Sequence, residues 1–163
     1  MGSGVMKNFV RVALVALVSV STTVACSSST PSSVVAPTPT LNTIKASGAV
    51  PAAVNGVPQS DFQLFNVGQS GGTTPTVTFT LTSATETFPN GTPPNTAVVM
   101  GLAIGAPSGA TCTLAAGSTV QLVQASATPL SATLNPGAYC IQISDQTIQQ
   151  GPVAYTIVIV TPQ

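Results

Sequence analysis

Apolar and polar residues alternate most cleanly over Thr76–Thr82, TVTFTLT, where Val77, Phe79 and Leu81 are separated by threonines. A period of two with β-branched residues on the second side predicts a half-buried strand with its apolar side inward. The threonine side reads either as an ordinary solvated sheet face or as a surface-binding face of the ice-binding kind. Residues 138–144, AYCIQIS, place Tyr139, Ile141 and Ile143 on one side, and 153–160, VAYTIVIV, form a closing strand. Residues 61–67, DFQLFNV, carry apolar groups on both faces. Residues 97–104, AVVMGLAI, are apolar throughout, which predicts a central strand. Shorter strands are expected at 110–114, 118–123 and 130–134, and a weaker first strand at 44–50.

Turn chemistry separates these runs. Gly71-Gly72, Asn90-Gly91, Asn135-Pro136-Gly137 and Gly151-Pro152 supply fixed or positive φ where the chain must reverse. Helical periodicity is lacking after Cys26. Many short strands punctuated by Gly and Pro predict an all-β fold, an antiparallel, jelly-roll-like β-sandwich of about eight strands.

The pattern changes completely before residue 41. Lys7 and Arg11 precede an apolar run from Val12 to Val20, then Ser21-Thr22-Thr23-Val24-Ala25-Cys26. A basic start, about 7–15 apolar residues and a small-residue cut site describe a secretory signal. The run is shorter than the roughly 20 residues that span a bilayer. Met1 and Met6 are both candidate starts. The segment resembles the bacterial lipoprotein leader with its lipobox, with Thr23 where that family usually has Leu. The resemblance implies cleavage before Cys26 and lipidation of its thiol. The alternative is ordinary cleavage after Thr23-Val24-Ala25. Two or more acyl chains give stable membrane attachment. Ser27, rather than Asp, follows the cysteine, and within the lipoprotein family this favours the outer membrane or cell surface over the inner membrane.

Residues 27–40, SSSTPSSVVAPTPT, are rich in Ser, Thr and Pro and bear no charge. Such a segment buries too little apolar surface to offset its ordering entropy and reads as a disordered tether, reaching roughly 40 Å at about 3.1 Å per residue. The expected organisation is a signal peptide over 1–25, a lipidated cysteine and linker over 26–41, and a β-sandwich domain over 42–163.

Charge narrows the function classes. After Cys26 the chain has one cation, Lys45, and three carboxylates, Asp61, Glu86 and Asp145. A nucleic-acid partner needs a basic patch to neutralise phosphates, and one lysine does not make one. The chain contains no histidine, which removes Ser/His/Asp and Cys/His nucleophilic sites. Glycosidase chemistry needs two carboxyl groups about 5–10 Å apart; the three available lie in three separate segments. Zinc has no ligand cluster here. Asp145 with Gln146 offers calcium at most a weak site, and its alternative reading is a turn cap. No catalytic residue, cofactor motif or metal site is assigned, and a non-enzymatic role is expected. Cys112 and Cys140 form an even pair in an exported domain and predict a structural disulfide.

Five segments stand in order: Gly48-Ala49-Val50; Ser60-Asp61-Phe62-Gln63-Leu64-Phe65-Asn66-Val67; Val77-Thr78-Phe79-Thr80-Leu81; Leu134-Asn135-Pro136-Gly137-Ala138-Tyr139-Cys140-Ile141; and Tyr155-Thr156-Ile157-Val158-Ile159-Val160. Together they resemble the bacterial pre-peptidase C-terminal domain. The resemblance implies a jelly-roll-like sandwich in which these motifs mark core and turn positions, with no catalytic residues to carry over. The functional expectation is a cell-envelope lipoprotein. Its sandwich would bind or support another envelope protein, with an exposed apolar edge at Phe62 and Leu64 as the sign to look for. The alternative is an accessory carbohydrate-binding module, which would need an exposed platform among Phe62, Phe65, Phe79, Phe88, Tyr139 and Tyr155.

Overall fold

The computed structural model describes residues 38, 40–69, 73–116 and 118–163. These residues form nine antiparallel strands and no helix: β1 (Leu41–Val50), β2 (Ser60–Val67), β3 (Thr76–Glu86), β4 (Val99–Ser108), β5 (Thr111–Leu114), β6 (Gln121–Gln124), β7 (Leu130–Thr133), β8 (Gly137–Asp145) and β9 (Val153–Pro162). One sheet has the order β1-β9-β3-β7. The other has the order β2-β8-β4-β5, with β6 also pairing with β4. β6 pairs with Val99–Leu102 and β5 with Gly105–Ser108, so the two share one position along one edge of β4. Nine strands therefore fill eight positions in two layers, the jelly-roll arrangement expected from the sequence.

The core lies between the layers. Val77, Phe79 and Leu81 of β3 meet Ile157 and Ile159 of β9 on one sheet and Met100, Leu102, Ile141 and Ile143 on the other, all 3 % exposed or less. Phe65 sets its ring edge-on to Phe79, with centroids 5.3 Å apart, and stacks on Tyr139 at 5.8 Å. Fully burying one such side chain contributes roughly 1.5–3 kcal/mol. The inward positions of β3 run 77, 79, 81 and then 84, 86, because the register against β9 shifts between Leu81 and Ser83. The extra residue turns Ala84 and Glu86 inward where strict alternation would turn them out.

β4 is central and buried on both faces along most of its length, as its continuous apolar run requires. On its outer side Gly105 lies under β5. A Cβ there would fall 2.5 Å from the carbonyl oxygen of Thr113 and 3.0 Å from Cys112 Sγ. Cys112 and Cys140 are joined by a disulfide, with their Cα atoms 5.8 Å apart. They belong to strands on opposite sides of β4. A flat sheet would separate them by two strand spacings of about 4.8 Å each. β5 therefore curls across the outer face of β4, glycine gives it room, and the disulfide fastens it to β8.

The loops divide between the two ends of the sandwich. The β1–β2, β3–β4 and β8–β9 loops gather at one end. The chain enters and leaves at the other, where Gln163 N donates to Thr40 O at 2.7 Å.

Candidate functional site

The three carboxylates occupy two places. Asp61 points inward from β2 beneath β9, where Tyr155 Oη donates to its Oδ2 (2.7 Å) and Phe62 N to its Oδ1 (2.8 Å). Gln63 Nε2 donates to the same tyrosine oxygen at 2.8 Å. Gly48 of β1 completes the cluster, since a Cβ there would overlap both Asp61 and the Tyr155 hydroxyl. Burial, followed by the hydrogen bond to Asp61, pushes the Tyr155 phenol well above its ordinary range. Residues from three separate motif segments thus form one clamp between the sheets.

Glu86 and Asp145, 4 % and 1 % exposed, serve the β8–β9 loop. Asp145 Oδ1 accepts from Thr147 N (2.9 Å) and Oδ2 from Gln149 N (2.7 Å). Glu86 Oε1 accepts from Gln150 N (2.8 Å) and Gly151 N (3.1 Å). With its amide oriented to satisfy both neighbours, Gln149 donates to Glu86 Oε2 at 2.7 Å and accepts from Thr147 Oγ1 at 2.6 Å. A cation entering here would meet N–H donors bound to both oxygens of Asp145. Among the described residues no group of three metal-ligating side chains occurs. Asp145 acts as the turn cap, and Asp61 sits apart from this loop.

This bracing holds Ile148 at a φ of 55°, a left-handed conformation that β-branched residues rarely adopt. Its side chain is 54 % exposed. Beside it, Ala53 N donates to Gln149 O (3.2 Å). The adjoining β1–β2 loop reverses at Asn55-Gly56, both with positive φ, between the bridged Val54 and Val57.

The outer faces of the sheets differ. On the four-stranded sheet, Thr78 and Thr80 lie beside Val160 and Val158 of β9 and then Thr43 and Lys45 of β1, so the threonine ladder is not continued across the face. The five-stranded sheet is less polar. Leu64 pairs with Cys140, which pairs with Gly105; Phe62 pairs with Gln142, which pairs with Ala103; Leu122 pairs with Gly101. The β4 residues between them are small and covered: a Cβ at Gly101 would meet Val120, Ser144 and Gln146, and Gly105 lies beneath β5. Phe62 and Leu64 stand on one edge of this sheet and Leu122 on the opposite edge. Leu64 and Leu122 are 57 % and 64 % exposed, and Phe62 is half-buried. Sequence reasoning found the Phe62–Leu64 side. It missed Leu122, whose only sequence signal is an apolar residue on the wet side of a short strand.

Cys26 lies outside the described residues, as does the rest of the leader. No family model matches the chain, and neither does any curated protein or solved structure.

Proposed function

We propose that this chain is an exported bacterial lipoprotein, held in the outer membrane or at the cell surface through lipid on Cys26. Its jelly roll serves as a non-enzymatic binding or structural module for another envelope protein. The leader residues and the uncharged tether support the anchoring, and the order of motifs from Gly48 to Val160 supports kinship with pre-peptidase C-terminal domains. The observation that carries the binding role is the exposed apolar surface on the five-stranded sheet: Leu64 beside half-buried Phe62 on one edge and Leu122 on the other. Exposed apolar side chains without an accessible aromatic platform suit a protein surface better than a sugar. The glycan reading draws less support, because Phe65, Phe79 and Tyr155 are buried in the core.

Crosslinking in intact envelopes tests the binding role. A specific adduct of the parent chain is expected to disappear in the Phe62→Ser, Leu64→Ser double variant while the fold is retained. An unchanged adduct pattern would sink it. Intact mass of the membrane-extracted protein tests the anchor separately: a chain starting at Cys26 with added acyl mass supports it, and an unlipidated soluble species refutes it.

A further inference from the structure

Among the described residues, eight half-buried apolar residues pack against the core, and five of them gather along one side of the sandwich: Ile104, Leu130, Ala132, Leu134 and Tyr139. On this side β7 faces β4 and the short β5 and β6, each of β5–β7 being four residues long. Because β5 is curled over Gly105 and bonded to β8, it does not close the gap. Two cavities open there, of about 350 and about 440 Å³, and both are lined by Ile104. Small-molecule sites fall in the range of roughly 300–1,000 Å³.

The two cavities differ in polarity. The first is rimmed by Ser118, Thr119, Gln121 and Ser131 over a floor that includes Phe79, Leu102 and Ile141. The second is walled almost wholly by apolar groups, among them Ala106, Leu114, Leu134 and Tyr139. Among the described residues, neither is lined by a carboxylate or a cation. One end thus offers hydroxyls and an amide, the other only hydrocarbon, and nothing along the length can neutralise a charge.

We propose that this open seam is a binding groove for an uncharged single-chain aliphatic amphiphile. Its hydroxyl-bearing head lies among Ser118, Thr119 and Gln121, and its chain runs past Ile104 towards Leu114 and Leu134. The site is separate from Phe62, Leu64 and Leu122 on the outer face and does not depend on Cys26 being lipidated.

The test is displacement of N-phenyl-1-naphthylamine, a neutral fluorophore that brightens in apolar surroundings, from the full chain. 1-Dodecanol is expected to displace it, and dodecanoate at least about ten-fold less well, because a buried carboxylate finds no partner here. Ala132→Phe fills the floor and is expected to weaken dodecanol by about ten-fold. Leu122→Phe, outside the groove, is expected to leave displacement unchanged. Gln121→Lys puts a cation on the exposed rim and is expected to favour dodecanoate over dodecanol by about five-fold relative to the parent. The proposal is overturned if dodecanol fails to displace the probe up to its solubility limit. It is equally overturned if folded Ala132→Phe behaves as the parent. Should Ala132→Phe fail to fold, Gln121→Lys decides, and an unchanged preference rejects the groove.

Discussion

On the side where β1 faces β2, a phenol, a carboxylate and an amide join the two sheets and a glycine lets them meet. On the side where β7 faces β4, half-buried leucine, isoleucine and alanine side chains line an open gap. The first side has strands of ten and eight residues, long enough to bring Gly48, Asp61, Gln63 and Tyr155 together. The second has three strands of four residues, one of them drawn outwards by a disulfide. The contrast shows that apolar content alone does not close a sandwich. Closure needs strands long enough to bring both layers within contact along the whole edge, and an inter-sheet bond that tolerates burial.

Four experiments sharpen or break this contrast. The largest effect is expected from Cys112→Ser with Cys140→Ser. Losing the closed loop costs about 3.5 kcal/mol in the chain-entropy picture, and equilibrium urea unfolding reads it. A loss below about 1 kcal/mol would mean that β5 holds its place without the bond. Next comes Gly48→Val, which drives a side chain into the Asp61–Tyr155 pair and is expected to cost about 3 kcal/mol by overpacking. A neutral result would show that the clamp yields easily.

Tyr155→Phe leaves Asp61 Oδ2 and Gln63 without their shared partner, and about 2 kcal/mol is expected from losing a hydrogen bond to a charged group. The same residue sets an alkaline limit. Its folded pKa is raised, so the unfolded chain releases the phenolic proton first, near pH 10. Its contribution is therefore full below about pH 10 and is lost as pH climbs towards the folded value. Thermal unfolding between pH 8 and 11 should show a fall beginning near pH 10 in the parent and a flatter profile in Tyr155→Phe. The smallest effect is expected at the open side. Ala132→Leu fills space and should stabilise by about 0.5 kcal/mol. A loss of 2 kcal/mol or more would mean that the seam is already full.

Much of the closed side could be read from the chain. The period-two runs put Val77, Phe79, Leu81, Ile141 and Ile143 inward correctly, and two cysteines left after Cys26 allowed one pairing. The residues of the clamp stood in plain motifs, yet their meeting depends on β1, β2 and β9 being spatial neighbours, which local pattern does not encode. The shift in β3 is equally silent: Ser83 and Ala84 carry no signal of an inserted residue, so burial of Glu86 had no local cue. The open side was illegible for the same reason. Leu114, Leu130 and Leu134 look like ordinary strand residues until the curl of β5 removes what would have covered them. Asn55-Gly56 between two valines was a readable turn signal; Asn90-Gly91, by contrast, sits in a loop that crosses between the sheets.

The meeting of Thr40 and Gln163 at one end also fixes how the domain bears force. β1 and β9 are antiparallel neighbours over ten residue pairs, beginning with Leu41 and Pro162. Tension applied between those two ends opens the pairs one after another, like a zip. Tension from the β8–β9 loop against a tether at Leu41 runs along the strands and loads all the pairs together in shear. The sandwich is therefore mechanically lopsided: it peels readily from its own ends and resists a pull delivered through its far loops.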